Sequence, residues 1–347
     1  MNPAGTSDAV RVGLVGAGAV AQVAHIPAYR RLRSIELAAI CDVEATKLRA
    51  LRDRTGIDHA VEDLDELLAI DELDAVDICL PNHLHADAVI RALEAGKHVL
   101  CEKPLAPTPE EVDRIVEAQE ASGKVVLVGM NHRYRDDSIA LKRFVEDGAL
   151  GDVFHVRATW RKRREPIRTG AWHYHPETSG GGVMMDLGIH LLDLSLWLTD
   201  YPDVERVSAT FWHHNPEIEV EDSAAVAIRC GGDLVIALET SWNLLTLEEE
   251  EEMRLQGSEG AGLLHPLRVF QRMHGSLVDV TPQLHRLGGN VYMESYEREI
   301  AFFAEVVKGR QKAPPLEENR ALADVLQAIR RSADEGREVA IDTDAPA

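Results

Sequence analysis

The run Gly16-Ala17-Gly18-Ala19-Val20-Ala21 reads G-x-G-x-x-A, directly after the apolar stretch Val10–Val15 and at the start of a helical pattern. Glycines there allow a tight turn and let a pyrophosphate approach the backbone, while the helix N-terminus offers unpaired N–H groups and a partial positive charge. Gly16, Gly18, Ala19 and Val20 are the candidate contacts. Asp42 lies 21 positions after Ala21, at the end of the second apolar run. A carboxylate in that place hydrogen-bonds ribose hydroxyls and repels a 2′-phosphate. Val43 follows it, with no Lys or Arg immediately beyond, so NAD is expected over NADP. The alternative for Asp42 is a solvated acid at a strand end.

Other titratable groups stand where strands end. Pro81-Asn82-His83-Leu84-His85 follows the third strand pattern and Glu102-Lys103-Pro104 the fourth. Ligands of open α/β sheets bind beyond such carboxyl ends, although a histidine there can equally be a cap or a surface group. Gly180-Gly181-Gly182 precedes Asp186 and His190, which are four residues apart. On an α-helix that spacing puts both on one face, where the acid supports a protonated imidazole suited to general acid–base work. A helix-start acid and a packed histidine are the structural alternative. Zinc held by Asp186, His190, His173 and His175 is also conceivable. An acid–histidine pair is only half such a site, however, and no H-E-x-x-H run accompanies it, so no metal is expected.

Arg157, Arg161, Lys162, Arg163, Arg164 and Arg168 form a basic cluster in a chain of net charge −22. They can hold an acidic sugar or carboxylated substrate, or pair with acidic surface or a neighbouring subunit, which is the expectation. Trp172, His173, Tyr174 and His175 come next and suit either a sugar-binding wall or core packing.

The acidic balance makes nucleic acid and anionic membranes poor partners. Cys41, Cys79, Cys101 and Cys230 show no C-x-x-C spacing and read as buried, reduced thiols. The first nine residues lack a basic stretch followed by an apolar core, and no run resembles a span of about 20 apolar residues. A cytoplasmic protein is expected.

These side chains need a scaffold, and the chain's 347 residues suggest two domains at about 150 residues each. Apolar runs at Val10–Val15, Ile35–Cys41, 75–80, 97–101 and 125–130 alternate with helical patterns at 19–32, 43–55, 84–95 and 109–121. That alternation is the mark of a doubly wound parallel sheet. Pro27 should interrupt the first helix. In the second half of the chain strands dominate, at 153–160, Val204–Trp212, Ser223–Cys230, 233–242 and 250–256, several of them alternating as a sheet with one solvated face does. Helices are expected at 138–146, 183–198, 294–308 and 317–334, and Glu248–Glu252 as an exposed strand edge. The fold class is therefore α/β, with a Rossmann domain over 8–130 and an α+β domain over 131–347 whose C-terminal helix can pack back on the first.

The strand–turn–helix at Gly16, Glu102-Lys103-Pro104 and the Gly-Gly-Gly-x-x-x-Asp-x-Gly-x-His run, taken in order, resemble the Gfo/Idh/MocA oxidoreductase family. The similarity runs from about Val10 to Ile341, through Val128-Gly129-Met130-Asn131-His132-Arg133 and the closing Arg331-Ser332-Ala333, Gly336 and Val339. The resemblance implies catalysis by Lys103, Asp186 and His190, with Pro81, Asn82, His85 and Glu102 along the cofactor. It also implies an open, mostly antiparallel second sheet used for homo-oligomer contacts, in a dimer or tetramer. Asn131, Arg133, Arg163, Trp172 and His173 are candidates for the substrate. Leu80 departs from the family's Thr or Ser before the proline, which removes a hydroxyl contact to the cofactor. The implied reaction is hydride transfer between a nicotinamide and a carbinol carbon of a sugar, cyclitol or related polyol. NAD-dependent glycoside cleavage on the same fold, and a non-catalytic dinucleotide-binding regulator, are the alternatives.

Overall fold

The computed structural model describes residues 8–164, 170–245, 248–284 and 290–341. They belong to two compact units. One is drawn from Met1–Ala106, Glu110–Asn131 and Gly289–Leu316, the other from Pro107–Pro109, His132–Gly288 and Glu317–Ala347.

The first unit alternates β1 (Val10–Val15), α1 (Ile26–Arg31), β2 (Ile35–Cys41), α2 (Ala45–Thr55), β3 (His59–Val61), α3 (Leu64–Leu68), β4 (Ala75–Ile78), α4 (His85–Glu94), β5 (His98–Glu102), α5 (Pro109–Ser122) and β6 (Val126–Gly129). The six strands pair in parallel in the order β3-β2-β1-β4-β5-β6. The strand order reverses between β1 and β4, and a crevice opens at such a switch point. β1 is covered on both faces, with Val12 and Leu14 in buried clusters on one side and Leu67 and Leu73 against Gly13 on the other.

β3 was not foreseen, because its three exposed or half-buried residues carry no hydrophobic period. The helix expected after Gly18 is split into a π-helical turn, Ala21–His25, and α1. The wider turn falls just before Pro27, where an i→i−4 donor is missing in any case.

The second unit contains α6 (Asp136–Glu146), β7 (Val153–Arg163), α7 (Pro176–Ser179), α8 (Ile189–Leu198), β8 (Val204–Trp212), β9 (Ser223–Cys230), β10 (Val235–Leu244), β11 (Glu250–Gly257), β12 (Gly260–Leu264), β13 (Arg268–Met273) and β14 (Ser276–Asp279). α9 (Val291–Val307) then returns to the first unit, where Ile300, Phe303 and Ala304 pack with Val10, Val12 and Leu127. The sequence suggests one boundary near residue 130, whereas each unit draws on three separate segments of the chain. α10 (Glu317–Glu335) and β15 (Val339–Ala340) stay with the second unit, α10 against β8.

The second sheet runs β14-β13-β12-β11-β7-β10-β9-β8-β15, antiparallel except where β10 meets β7. The acidic run is not at an edge, as the sequence had suggested. β11 lies between β12 and β7, and Glu250 and Glu251 pair with Arg161 and Arg135. Residues 176–198 also correct an expectation, since they have the length and apolarity of a span, but their most apolar part is mostly buried inside the protein, as a core helix is. All four cysteines are buried and free.

Candidate functional site

In the first unit the glycine turn is shaped by contact as much as by conformation. Gly16 has φ +87°, and a Cβ on it would lie 2.5 Å from the Cys79 carbonyl oxygen, so no other residue fits the crossing of β1 and β4. A Cβ on Gly18 would meet nothing within 4 Å, so packing does not require that glycine. The open side over the helix start fits a dinucleotide pyrophosphate. Asp42 holds the turn, its carboxylate accepting from Ala17 N–H at 2.8 Å and Glu44 N–H at 2.9 Å.

Lys47, on α2, reaches the same carboxylate at 3.0 Å. Burial disfavours its charge, but Asp42 and Glu44 outweigh that and raise the ammonium pKa. The sequence does not mark this cation, because it comes from within α2 and not from the residues next to the strand end.

At the neighbouring strand ends the side chains form a buried ionic chain. His25, fully buried on the π-helical turn, places Nδ1 2.7 Å from Asp77 and Nε2 2.9 Å from Glu102. Burial works against its charge, yet the Asp77 carboxylate prevails and its pKa stands well above 6.5. Tyr29 donates to Asp77 at 2.8 Å, and the Lys103 N–H donates to the second Glu102 oxygen at 3.2 Å. Lys103 is half-buried.

His85 is fully buried and bridges two loops, with Nδ1 2.7 Å from the Pro104 carbonyl and Nε2 2.8 Å from that of Leu80. Burial outweighs these two acceptors and lowers its pKa. Pro81 precedes the 3-10 turn Asn82–Leu84, with Asn82 buried. Asn131 donates to Ser295 at 3.0 Å. An acid inside the apolar strand Ala75–Ile78 was the signal in the sequence that could have exposed Asp77 and its partners.

In the second unit a Cβ on Gly182 would lie 2.0 Å from the Glu221 carbonyl oxygen, so the glycine run serves a close backbone approach. Asp186 sits on the π-helical turn Met184–Gly188 and His190 in the first turn of α8, so the α-helical spacing expected for the pair does not apply. The Trp242 indole donates to Asp186 at 3.1 Å. The His190 ring is buried and stacks on His132, with ring centroids 4.6 Å apart. His132 lies 3.8 Å from Glu251, which also pairs with His265 and Arg135.

Histidine–acid groups that a metal could use occur at His25–Asp77–Cys79 and His132–Glu251–His265. Both are accounted for by ionic partners within the protein, and neither is the set weighed from the sequence.

Arg163 and His173 line a cavity of about 180 Å³ together with Asp186, Trp242 and Asn243. Trp172 meets the His173 ring edge-on at 5.8 Å. Arg133 is buried against Asp193 at 2.6 and 2.9 Å and against Glu318 at 2.6 Å, a fixed ionic tie. Of the basic cluster, Arg161 pairs with Glu239 and Glu250 as the structural reading expected, while Arg168 lies outside the described residues.

Residues 10–130 match the oxidoreductase family with an NAD-binding Rossmann fold, and residues 139–262 match the GFO/IDH/MocA C-terminal domain. The chain is a Gfo/Idh/MocA oxidoreductase. It is 29% identical to D-glucoside 3-dehydrogenase of Escherichia coli (strain K12), covering 98% of this chain and 99% of that protein. It is 26% identical to myo-inositol 2-dehydrogenase of Thermotoga maritima (strain ATCC 43589 / DSM 3109 / JCM 10099 / NBRC 100826 / MSB8), over 96% and 99%. Levoglucosan dehydrogenase in complex with NADH and levoglucosan shares the fold, with TM-score 0.86 at 23% identity over 96% and 100%. As a member of this family the chain is an NAD-binding dehydrogenase, and the hydrolase alternative finds no support among these relatives.

Proposed function

We propose that this oxidoreductase oxidises a carbinol carbon of a sugar or cyclitol, with NAD preferred over NADP. The observation that carries the reading is the Gly16–Gly18 turn at the sheet's switch point, closed by contact at Gly16 and open at Gly18. The dehydrogenases of glucosides and inositol among its relatives support the substrate class.

NAD, when bound, supplies the hydride acceptor. Gly16, Gly18, Ala19 and Val20 hold its pyrophosphate and Asp42 its ribose, with Pro81, Asn82, His85 and Glu102 shaping the neighbouring loops. His190 accepts the hydroxyl proton as general base while the carbonyl forms, and Asp186 supports the imidazolium. Lys103 stabilises the negative charge that develops on the oxygen. Sugar-dependent NADH formation tests the reading. K103A and H190A should each lower kcat by about 10²–10⁴ and leave the NAD dissociation constant within a few-fold. Near-normal turnover in both variants, or no net reduction of NAD with any sugar or polyol, overturns it.

Asp42 carries the cofactor preference, and Lys47 tempers it by placing a cation beside the carboxylate. K47Q should raise the NAD/NADP ratio of kcat/KM, and a wild-type preference for NADP would refute the assignment. A homo-oligomer through the second sheet, a dimer or tetramer, is proposed as well. Light scattering tests it, and a monomer would dismiss it.

A further inference from the structure

The cavity beside Asp186 combines cations without acidic partners and polar groups arranged for a sugar. Lys162, Arg163 and Arg164 line it. Arg161 in the same run is held by Glu239 and Glu250. By contrast, neither Arg163 nor Arg164 has an ion-pair partner among the described residues, and Lys162 rests over the Trp160 ring, 5.2 Å from its centroid.

The two carboxylates lining the cavity accept from neutral donors and pair with none of these cations. Asp222 accepts from Asn215 N–H at 2.7 Å, the Ser223 hydroxyl at 2.9 Å and the Asn243 amide at 3.4 Å. Asp186 accepts from Trp242. The lining thus carries three cations against these two carboxylates, a net positive charge in a chain of net charge −22.

A second observation points to a hydroxylated ligand. Asn243 Oδ1 is buried and has no hydrogen-bond partner among the described residues, while its amide is turned to Asp222. An orphan acceptor on a cavity wall suits a hydroxyl donor from a ligand. Tyr174 and Trp242, with ring centroids 5.9 Å apart and edge-on, supply an apolar wall. The volume of about 180 Å³ falls below the roughly 300–1,000 Å³ of drug-sized pockets, which suits one sugar ring and not a nucleotide sugar.

We propose that this cavity selects a monosaccharide bearing an oxyanion, a carboxylate or a phosphate, which Lys162, Arg163 and Arg164 hold while Asn243 accepts from a ring hydroxyl. The proposal rests on the sugar-oxidation reading above and deepens it. The reaction is unchanged: the carbinol carbon loses hydride, with its electron pair, to NAD, the hydroxyl proton goes to His190, and the oxyanion takes no part.

The test measures NADH formation and calorimetric binding with D-glucose, D-glucuronate and D-glucose 6-phosphate, on the wild type and on R163Q, R164Q and R268Q. Arg268 pairs with Asp279 at 2.7 Å and serves as a control for lost charge outside the cavity. At least one anionic sugar should exceed glucose by about tenfold or more in kcat/KM, the scale of one charge-assisted hydrogen bond. That ratio should shrink about tenfold in R163Q or R164Q, persist in R268Q, and fall with added salt. A preference for glucuronate assigns the site to carboxylates, and one for the 6-phosphate assigns it to phosphates. Glucose oxidised as well as both anions, or a ratio untouched by both cavity variants, overturns the inference and leaves sugar oxidation standing. Selective binding of an anion without turnover upholds the anion site, and the oxidation reading then falls only if no sugar or polyol of a wider panel reduces NAD.

Discussion

At the scale of single residues, the strongest energetic statement concerns His25. Its imidazole lies between Asp77 and Glu102 with all three groups buried. Removing one partner of a buried ionic group leaves uncompensated charge and costs about 3–5 kcal/mol. H25Q should therefore lower the free energy of unfolding in urea by that order. The folded-state pKa is raised above the ordinary 6.5, so the folded state binds the proton more tightly than the unfolded one. The linked stabilisation is complete below about pH 6.5 and is lost as pH rises through the higher folded value. The gap between wild type and H25Q should narrow as pH increases, and a gap independent of pH would exclude an imidazolium in the chain. The tight turn at Gly16 was legible in the sequence because the glycine spacing after an apolar strand marks it. His25, Asp77 and Lys47 were not, because their roles come from partners 5 to 77 positions away.

Elements were legible where burial imposes a period. Ile35–Cys41, Val204–Trp212 and Ser223–Cys230 begin and end as expected, since each alternates or is apolar throughout. β12 to β14 were missed because they are short and carry no clear apolar alternation, β14 being exposed throughout. The two-residue hairpin turn His274-Gly275, with φ +52° and +79°, joins β13 to β14 without an Asn-Gly or Asp-Gly signature. The turn between β1 and its helix yields a paired prediction. G16A places a Cβ against the Cys79 carbonyl at a positive φ, so it should lower the melting temperature and abolish NAD binding together. G18A meets open space, so its stability should stay within about 0.5 kcal/mol while NAD affinity drops at least tenfold. Thermal melts and NAD titrations on the two variants separate the roles. Unchanged NAD affinity in G18A would remove the pyrophosphate from that face.

For the whole molecule, charge is the property that no single element explains. The chain has 59 acidic and 37 basic residues for a net −22, and the exposed pairs such as Arg206–Glu338 and Arg254–Glu252 contribute little each because solvent screens them. Repulsion among the excess carboxylates therefore outweighs the exposed attractions at low ionic strength, and it acts against every compact state. Salt shortens the screening length from about 30 Å at 0.01 M to about 8 Å at 0.15 M. The buried ties, His25 to its two acids and Arg133 to Asp193, are screened much less. Raising sodium chloride across that range should increase the melting temperature, with the same sign in wild type and H25Q. The rate of NAD association should rise as well, because the incoming pyrophosphate meets a less negative field. A melting temperature that falls with salt would mean that surface ion pairs, and not net repulsion, dominate the electrostatics of the fold.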